Sequence, residues 1–361
     1  MNRKGLVLLS LMLATGLPIS LSAEQNHVIV VSGLGGAQEY RDRFHEWSIQ
    51  LVDAAIDRHG IPADQVVFLA EQPDRDPDRI RARSTWENIQ TAITEVAEHA
   101  AFDDLVLIVL IGHGSFSGNV SHFNLPGPDP TVVDFAVALN ELRDQQVVFV
   151  NTATASGEFI AGLSGPKRTI ITATKTARER NETKFGEFFV EAFAGRVVPE
   201  FETPTATNSV NEIAIDDVAD ANKDGRVSLL EAFDYTRRQV ARVYEESGLL
   251  LTEHAMLDDN GDGYGSDEPD PLTAGADGRI AQALFFTPSG RLTTAELETD
   301  DPTLMGLYAE RNAIEKRVLA HRTLRDGMDS AIYEQELERL LIDLALKNRE
   351  IRNAEDEVPQ P

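Results

Sequence analysis

The sequence contains no cysteine in 361 residues. That excludes disulfides, and it excludes a thiolate as nucleophile or metal ligand. Basic residues are scarce as well: 33 lysines and arginines stand against 60 aspartates and glutamates, a formal net charge of -27. Such a chain repels phosphate backbones and anionic lipid, so nucleic acid is excluded from the expected partners. Clustered carboxylates point instead to hard cations. Beyond the first two dozen residues, no apolar run is long enough to span a membrane.

The N-terminal run MNRKGLVLLSLMLATGLPISLSA is the one long apolar stretch. Arg3 and Lys4 form a basic head, Gly16 and Pro18 interrupt the apolar segment, and Ala23 closes it with a small residue. This pattern reads as a secretory signal peptide over residues 1–23, cut after Ala23, with an uncleaved anchor as the lesser option. The expected location is therefore exported, periplasmic or extracellular, with no membrane role after cleavage. No cysteine lies near the cut, which excludes a lipoprotein anchor.

Hydrophobic residues make up 42% of the chain, enough for one large core or two domains. Apolar runs predict strands at residues 28–32, 66–69, 105–111, 147–150 and 169–173. Between them, Tyr40, Phe44, Trp47 and Leu51 recur at helical spacing and predict a helix over 38–58. Ser84-x-x-Glu87 reads as a capping box before a second helix, and Thr131-x-x-Asp134 opens a third. A further helix is expected from about 182 to 193. Alternating helices and solidly apolar strands predict an α/β fold: a mostly parallel sheet with helices on both faces, over residues 24–201. In such sheets, sites form at the carboxyl ends of the strands.

A linker-like stretch begins at residue 202, and an acidic, glycine-rich segment follows to residue 285. Residues 286–361 read as a helical hairpin and an acidic tail. Leu304, Leu307, Ile314 and Val318 mark one helix, and Leu337, Leu340, Leu341 and Leu344 mark the other, with Asp326-Gly327 turning between them.

DANKDGRVSLLE, Asp220 to Glu231, fits the twelve-residue EF-hand calcium loop. Asp220, Asn222 and Asp224 supply oxygens at positions 1, 3 and 5, and Gly225 makes the turn. Arg226 offers its carbonyl, Ser228 holds a bridging water, and Glu231 binds with both oxygens. A second loop begins DDNGDGYGSDEP. Asp258, Asn260 and Asp262 fit its first three ligand positions, and Tyr264 offers a carbonyl at position 7. Its position 12 is Pro269, which has no side-chain oxygen, so Asp267, Glu268 or Asp270 would have to substitute. An Asp/Gly turn is the plain alternative there. The expected cofactor is Ca²⁺, in a structural rather than a sensing role, because an exported loop sees abundant calcium. The DGR at Asp277 is too short to count as a third loop.

Two strand ends carry candidate chemistry. One runs into Gly112-His113-Gly114-Ser115, the other into Asn151-Thr152-Ala153-Thr154-Ala155-Ser156-Gly157. On these residues the N-terminal part resembles the caspase-like fold, and most of all its legumain-like cysteine peptidases. Their pattern is a strand ending in His-Gly, then a strand ending in Cys-x-Ser-Gly. LIGHGS is similar to the first and NTATASGEF to the second. The resemblance spans about residues 27–195 and includes TATKTARERNETKFGEFF after the next strand. It implies His113 as catalytic histidine and Gly114 as an oxyanion-hole amide. Thr154 then falls where the nucleophilic cysteine should be.

A threonine hydroxyl is a far weaker nucleophile than a thiolate and needs a well-aligned base. Three readings stay open: a pseudo-peptidase that binds a peptide or protein partner without cutting it; a hydrolase using Thr154, or Ser156, with His113; and a calcium-stabilised scaffold. Beside them stands the plainer possibility that His113 is a satisfied core histidine. Thr152, Thr154 and Ser156 could equally only tie backbone groups at a strand-to-helix turn. SGLGG lacks the spacing and lysine of a phosphate loop and reads as a tight turn. Asn119-Val120-Ser121 is a glycosylation sequon in form.

Overall fold

The computed structural model describes residues 25–102, 104–194, 219–222, 226–285, 302–322 and 330–357. The expected signal peptide, the expected linker at 202, Asp224 with Gly225, the expected Asp326-Gly327 turn and the last residues of the tail lie outside them.

A seven-stranded sheet organises the described chain, in the order β3-β2-β1-β4-β7-β8-β9. Its strands are β1 (Asn26–Ser32), β2 (Val66–Ala70), β3 (Ala82–Arg83), β4 (Leu105–Ile111), β7 (Gln146–Asn151), β8 (Arg168–Thr172) and β9 (Met256–Asp258). All neighbours pair in parallel except β8 and β9. Every residue of β1, β4 and β7 is buried, as their unbroken apolar runs require.

Side chains alternate across the sheet and divide into two cores. Val28, Val30, Leu107, Val109, Val148 and Val150 face one side. There they meet α1 (Gln38–Asp53), α5 (Phe185–Ala194) and α6 (Leu229–Glu246). Ile29, Val31, Val106, Ile108, Val147 and Phe149 face the other. They meet α2 (Trp86–His99), α3 (Val132–Ala138) and α4 (Glu158–Leu163). At about 1.5–3 kcal/mol for each fully buried aliphatic side chain, these two layers dominate the stabilisation.

The long helix expected over 38–58 is α1 followed by one wide π-helical turn, Ala54–Arg58, in which the His59 N–H reaches back to the Ala54 carbonyl at 2.9 Å. The cap of α2 is Thr85, whose hydroxyl accepts from the Asn88 N–H at 3.4 Å, and not Ser84. Ser84 is fully buried and its N–H bonds the Ala70 carbonyl at 2.9 Å, which continues the β2–β3 pairing. The Thr131/Asp134 capping box forms as read. Helix α5 starts at Phe185 rather than 182, because Glu182 and Thr183 are engaged elsewhere: Glu182 accepts from Tyr40, and the Thr183 hydroxyl donates to the Thr152 carbonyl at 2.7 Å.

Two features have no counterpart in the sequence expectation. A hairpin of β5 (Gly114–Ser117) and β6 (Val120–Phe123) follows His113 directly, turned by Gly118 and Asn119 at φ 58 and 67°. The segment beyond the expected boundary at 202 also completes the α/β core. Strand β9 pairs antiparallel with β8, and Leu229, Leu230, Phe233 and Tyr235 of α6 are buried with α5. A short helix, α7 (Arg279–Ala283), follows.

Helices α8 (Pro302–Arg322) and α9 (Ser330–Glu357) pack on each other, Leu304 against Ile351 and Val318 against Leu340 and Leu341. Among the described residues no helix is long and apolar enough to cross a membrane.

Candidate functional site

The chain runs to β2 on one side of β1 and returns to β4 on the other, so the crevice at the carboxyl ends lies between β1 and β4. Gly112 lets these ends close up. A Cβ there would stand 2.8 Å from the Phe123 ring and 3.2 Å from the Gly33 Cα. His113 follows, held edge-on against two rings of α1: Tyr40 at 4.6 Å and Phe44 at 5.0 Å between centroids. Burial lowers the His113 pKa, with the Glu182 charge and the nearby Gly35 backbone opposing. The imidazole is therefore neutral at pH 7.

Thr154 sits at the end of β7, beside β4. Its hydroxyl donates to the Gly114 carbonyl at 2.8 Å and accepts from the Gly114 N–H at 3.2 Å. Both of its hydrogen-bonding roles are thus filled by the residue after the histidine, and no hydrogen bond among the described residues joins His113 to Thr154. Ala155 adopts φ 55°, and its N–H bonds the Glu179 carbonyl at 2.9 Å. The Ser156 hydroxyl lies 3.1 Å from that of Thr174 and accepts from the Thr174 N–H at 3.2 Å. Thr152 donates to the Leu110 carbonyl at 2.9 Å. Every hydroxyl of the turn ties one strand end to another.

Sequence reasoning missed Glu182. It accepts from the Tyr40 hydroxyl at 2.9 Å and pairs with Arg43, and it lines a recess with His113, Phe44, Trp47 and Thr183. Burial would push this carboxyl up, but the Tyr40 bond and the Lys184 and Arg43 contacts outweigh it and hold it below its ordinary value. Glu182 also lines a wider groove of about 650 Å³ with Asn181, Lys184, Tyr244, Leu249 and Leu250. Leu249 and Leu250 are 64 and 87% exposed, which gives that groove an unpartnered apolar wall.

The two acidic loops lie away from this crevice in sequence: the first leads into α6, and the second begins at the end of β9 on the sheet edge. In the first, Glu231 accepts from the Ser228 N–H and hydroxyl at 3.0 and 2.9 Å and from the Asn222 N–H at 3.1 Å, so positions 3, 9 and 12 are drawn together. In the second, the buried Asp258 carboxylate accepts from the Gly261 and Gly263 N–H groups at 3.0 and 3.1 Å, and Gly263 makes its turn at φ 81°. The Tyr264 N–H bonds Asp262 at 2.8 Å. Asp277 belongs to this loop after all: it accepts from the Asp259 and Asn260 N–H groups, and burial, with Asp258 nearby, pushes it up to about 6. Among the described residues no group of three or more histidine or acidic side chains is gathered closely enough to hold a metal ion.

Glu253 is the other missed residue. It is 4% exposed and accepts from the Lys184 N–H at 3.0 and 2.8 Å and from the Phe185 N–H at 2.7 Å, which caps α5. Burial pushes it up to about 7 against the pull of those bonds. An unfolded glutamate titrates at about 4.3. Between the two values the folded state keeps a proton that the unfolded state has lost. This contribution to stability is therefore complete below pH 4 and is lost as pH rises through 7. Unfolding of the native chain and of Glu253→Gln in urea at pH 5 and pH 8 should differ in pH slope by about 3 kcal/mol, at 1.36 kcal/mol per pKa unit. Equal slopes would refute a proton held on Glu253.

No protein-family model and no curated protein matches the chain. Among solved structures it is similar to protein GSU0716 from Geobacter sulfurreducens, with a TM-score of 0.42 and 10% identity over 73% of this chain and 99% of that one.

Proposed function

We propose that this is an exported, calcium-stabilised protein with a caspase-like, legumain-like peptidase domain that binds a peptide or protein segment at the crevice between β1 and β4 without cleaving it. The observation that carries this reading is the Thr154 hydroxyl, which is spent on the Gly114 backbone in both directions. A nucleophile needs its proton facing a base, and an oxyanion hole needs a free N–H. Here the neutral His113 packs edge-on against Tyr40 and Phe44 with no hydrogen bond to Thr154, and the Gly114 N–H is already occupied. The placement of His113 and Thr154 at the ends of neighbouring strands supports descent from a peptidase arrangement. The groove beside Glu182, with its exposed leucines, supports retained binding.

Calcium fits the same reading. When bound, it would neutralise loop carboxylates; Asp220, Asn222 and Glu231 would hold it in the first loop, and Asp258 and Asp262 in the second. Asp258 is also the last residue of β9, so order in the second loop would steady the sheet edge.

The test is a diverse peptide library incubated with the mature chain in millimolar calcium, read by anisotropy for binding and by mass spectrometry for new termini. Binding without new termini is the expected result. Cleavage that disappears in His113→Ala would establish a hydroxyl hydrolase and overturn the proposal, and the absence of any bound peptide would overturn it too.

A further inference from the structure

A second cavity, of about 120 Å³, lies between the start of α5, the middle of α6 and the segment leading into β9. Phe185, Val240, Leu251 and Ala255 make it apolar, and Glu253, Arg237, His254 and Asp267 are its polar and charged lining. It shares no lining residue with the His113 recess.

The other charges facing Glu253 are paired or distant from it. Glu179 holds His254 at 3.0 Å, and Asp267 lies 3.5 Å from Lys175. Lys184 contributes charge, and its ammonium lies 3.7 Å from Glu182. Glu253 itself takes only backbone N–H groups, and no described side chain pairs with it. A carboxylate has about four acceptor positions, so one remains.

Arg237 is also under-used. Its Nη1 donates to Glu268 at 3.1 Å, but Glu268 is 80% exposed and such a pair is weak. Its Nε is buried with no partner. Four of the five guanidinium N–H donors carry no protein partner among the described residues.

An apolar pocket with a few converging polar groups and a perturbed carboxyl is the usual form of a small-molecule site. A cavity of about 150 Å³ accepts a benzene-sized body, so this one suits an apolar body of about four or five carbons. A ligand with only a cation would leave Arg237 unanswered, and one with only an anion would face Glu253. We propose that this pocket binds a free α-amino acid with a branched aliphatic side chain, its ammonium on Glu253, its carboxylate on Arg237 and its side chain among Phe185, Val240 and Leu251.

Calorimetry of the full chain with L-leucine tests this, with 3-methylbutylamine and 4-methylpentanoate as the amine-only and acid-only arms. Leucine should bind at least tenfold more tightly than either arm, and more tightly at pH 8 than at pH 6, where Glu253 holds its proton. Glu253→Gln and Arg237→Met should each weaken leucine at least tenfold. Ala241→Phe, at an exposed position on the cavity wall, should abolish binding while leaving the urea midpoint in place. No binding by the folded native chain, equal binding of the amine, or leucine binding unchanged in Ala241→Phe would overturn the proposal.

Discussion

Gly114→Ala is expected to destabilise the chain by at least about 3 kcal/mol, the upper end of what overpacking usually costs. An alanine Cβ at this position would stand 2.1 Å from the Thr154 carbonyl oxygen, 3.2 Å from the His122 carbonyl oxygen and 3.3 Å from the Ala153 Cβ. The nearest two are backbone atoms of structured segments, so no rotamer change relieves the clash. The backbone of Gly114 must move, and it carries both hydrogen bonds to Thr154. The variant therefore strains the chain and also unpairs the one contact that closes the site. Urea unfolding measures the loss. Gly306→Ala is the control, since a Cβ at Gly306 meets nothing within 4 Å and a helical glycine replaced by alanine is neutral or mildly stabilising. A loss below about 1 kcal/mol for Gly114→Ala would mean that β4 and β7 are not held together at their ends as described.

The same contact marks how far the sequence could be read. The solid apolar runs revealed β1, β4 and β7 because a strand buried on both faces has no polar alternation to confuse it. Thr131 with Asp134 revealed its cap because both partners lie within one turn. His113 and Thr154 were legible as strand-end residues, and their strands are indeed neighbours. What they bond to was not legible. His113 is held by Tyr40 and Phe44, and Thr154 by Gly114, forty residues away. Glu253 caps a helix from 68 and 69 residues down the chain, beyond any local motif. Strand β9 has three residues, too few for a periodicity, and takes its conformation from the edge of β8. Asp277 acquires its place by accepting two backbone N–H groups from a loop it follows by 17 and 18 residues. In each case the deciding interaction joins segments far apart in the chain, which residue type and spacing do not encode.

Glu231→Gln should separate the two roles that its carboxylate holds. Without calcium, Glu231 closes a capping box with Ser228: its own N–H bonds the Ser228 hydroxyl at 3.2 Å while its Oε2 accepts from the Ser228 N–H. Glutamine serves in such a box as well as glutamate does, so the variant without calcium should stay within about 1 kcal/mol of the native chain. With calcium the outcome should differ. An exported loop binding at about 0.1–1 mM gains about 1.4–2.7 kcal/mol in 10 mM calcium, by RT ln(1 + [L]/Kd). Glutamine offers one oxygen where a bidentate carboxylate offers two, and it lacks the charge, so nearly all of that gain should vanish. The gain would reach the sheet because Leu229, Leu230 and Phe233, which flank Glu231, lie in the core beside α5. Thermal unfolding with and without calcium, in the native chain, Glu231→Gln and Asp258→Asn, reads both loops at once. A calcium increment that survives Glu231→Gln but disappears in Asp258→Asn would move the bound ion to the loop at the end of β9, where it would act on the sheet edge rather than on the start of α6. An increment that survives unchanged in the double variant Glu231→Gln/Asp258→Asn would refute calcium binding by either loop.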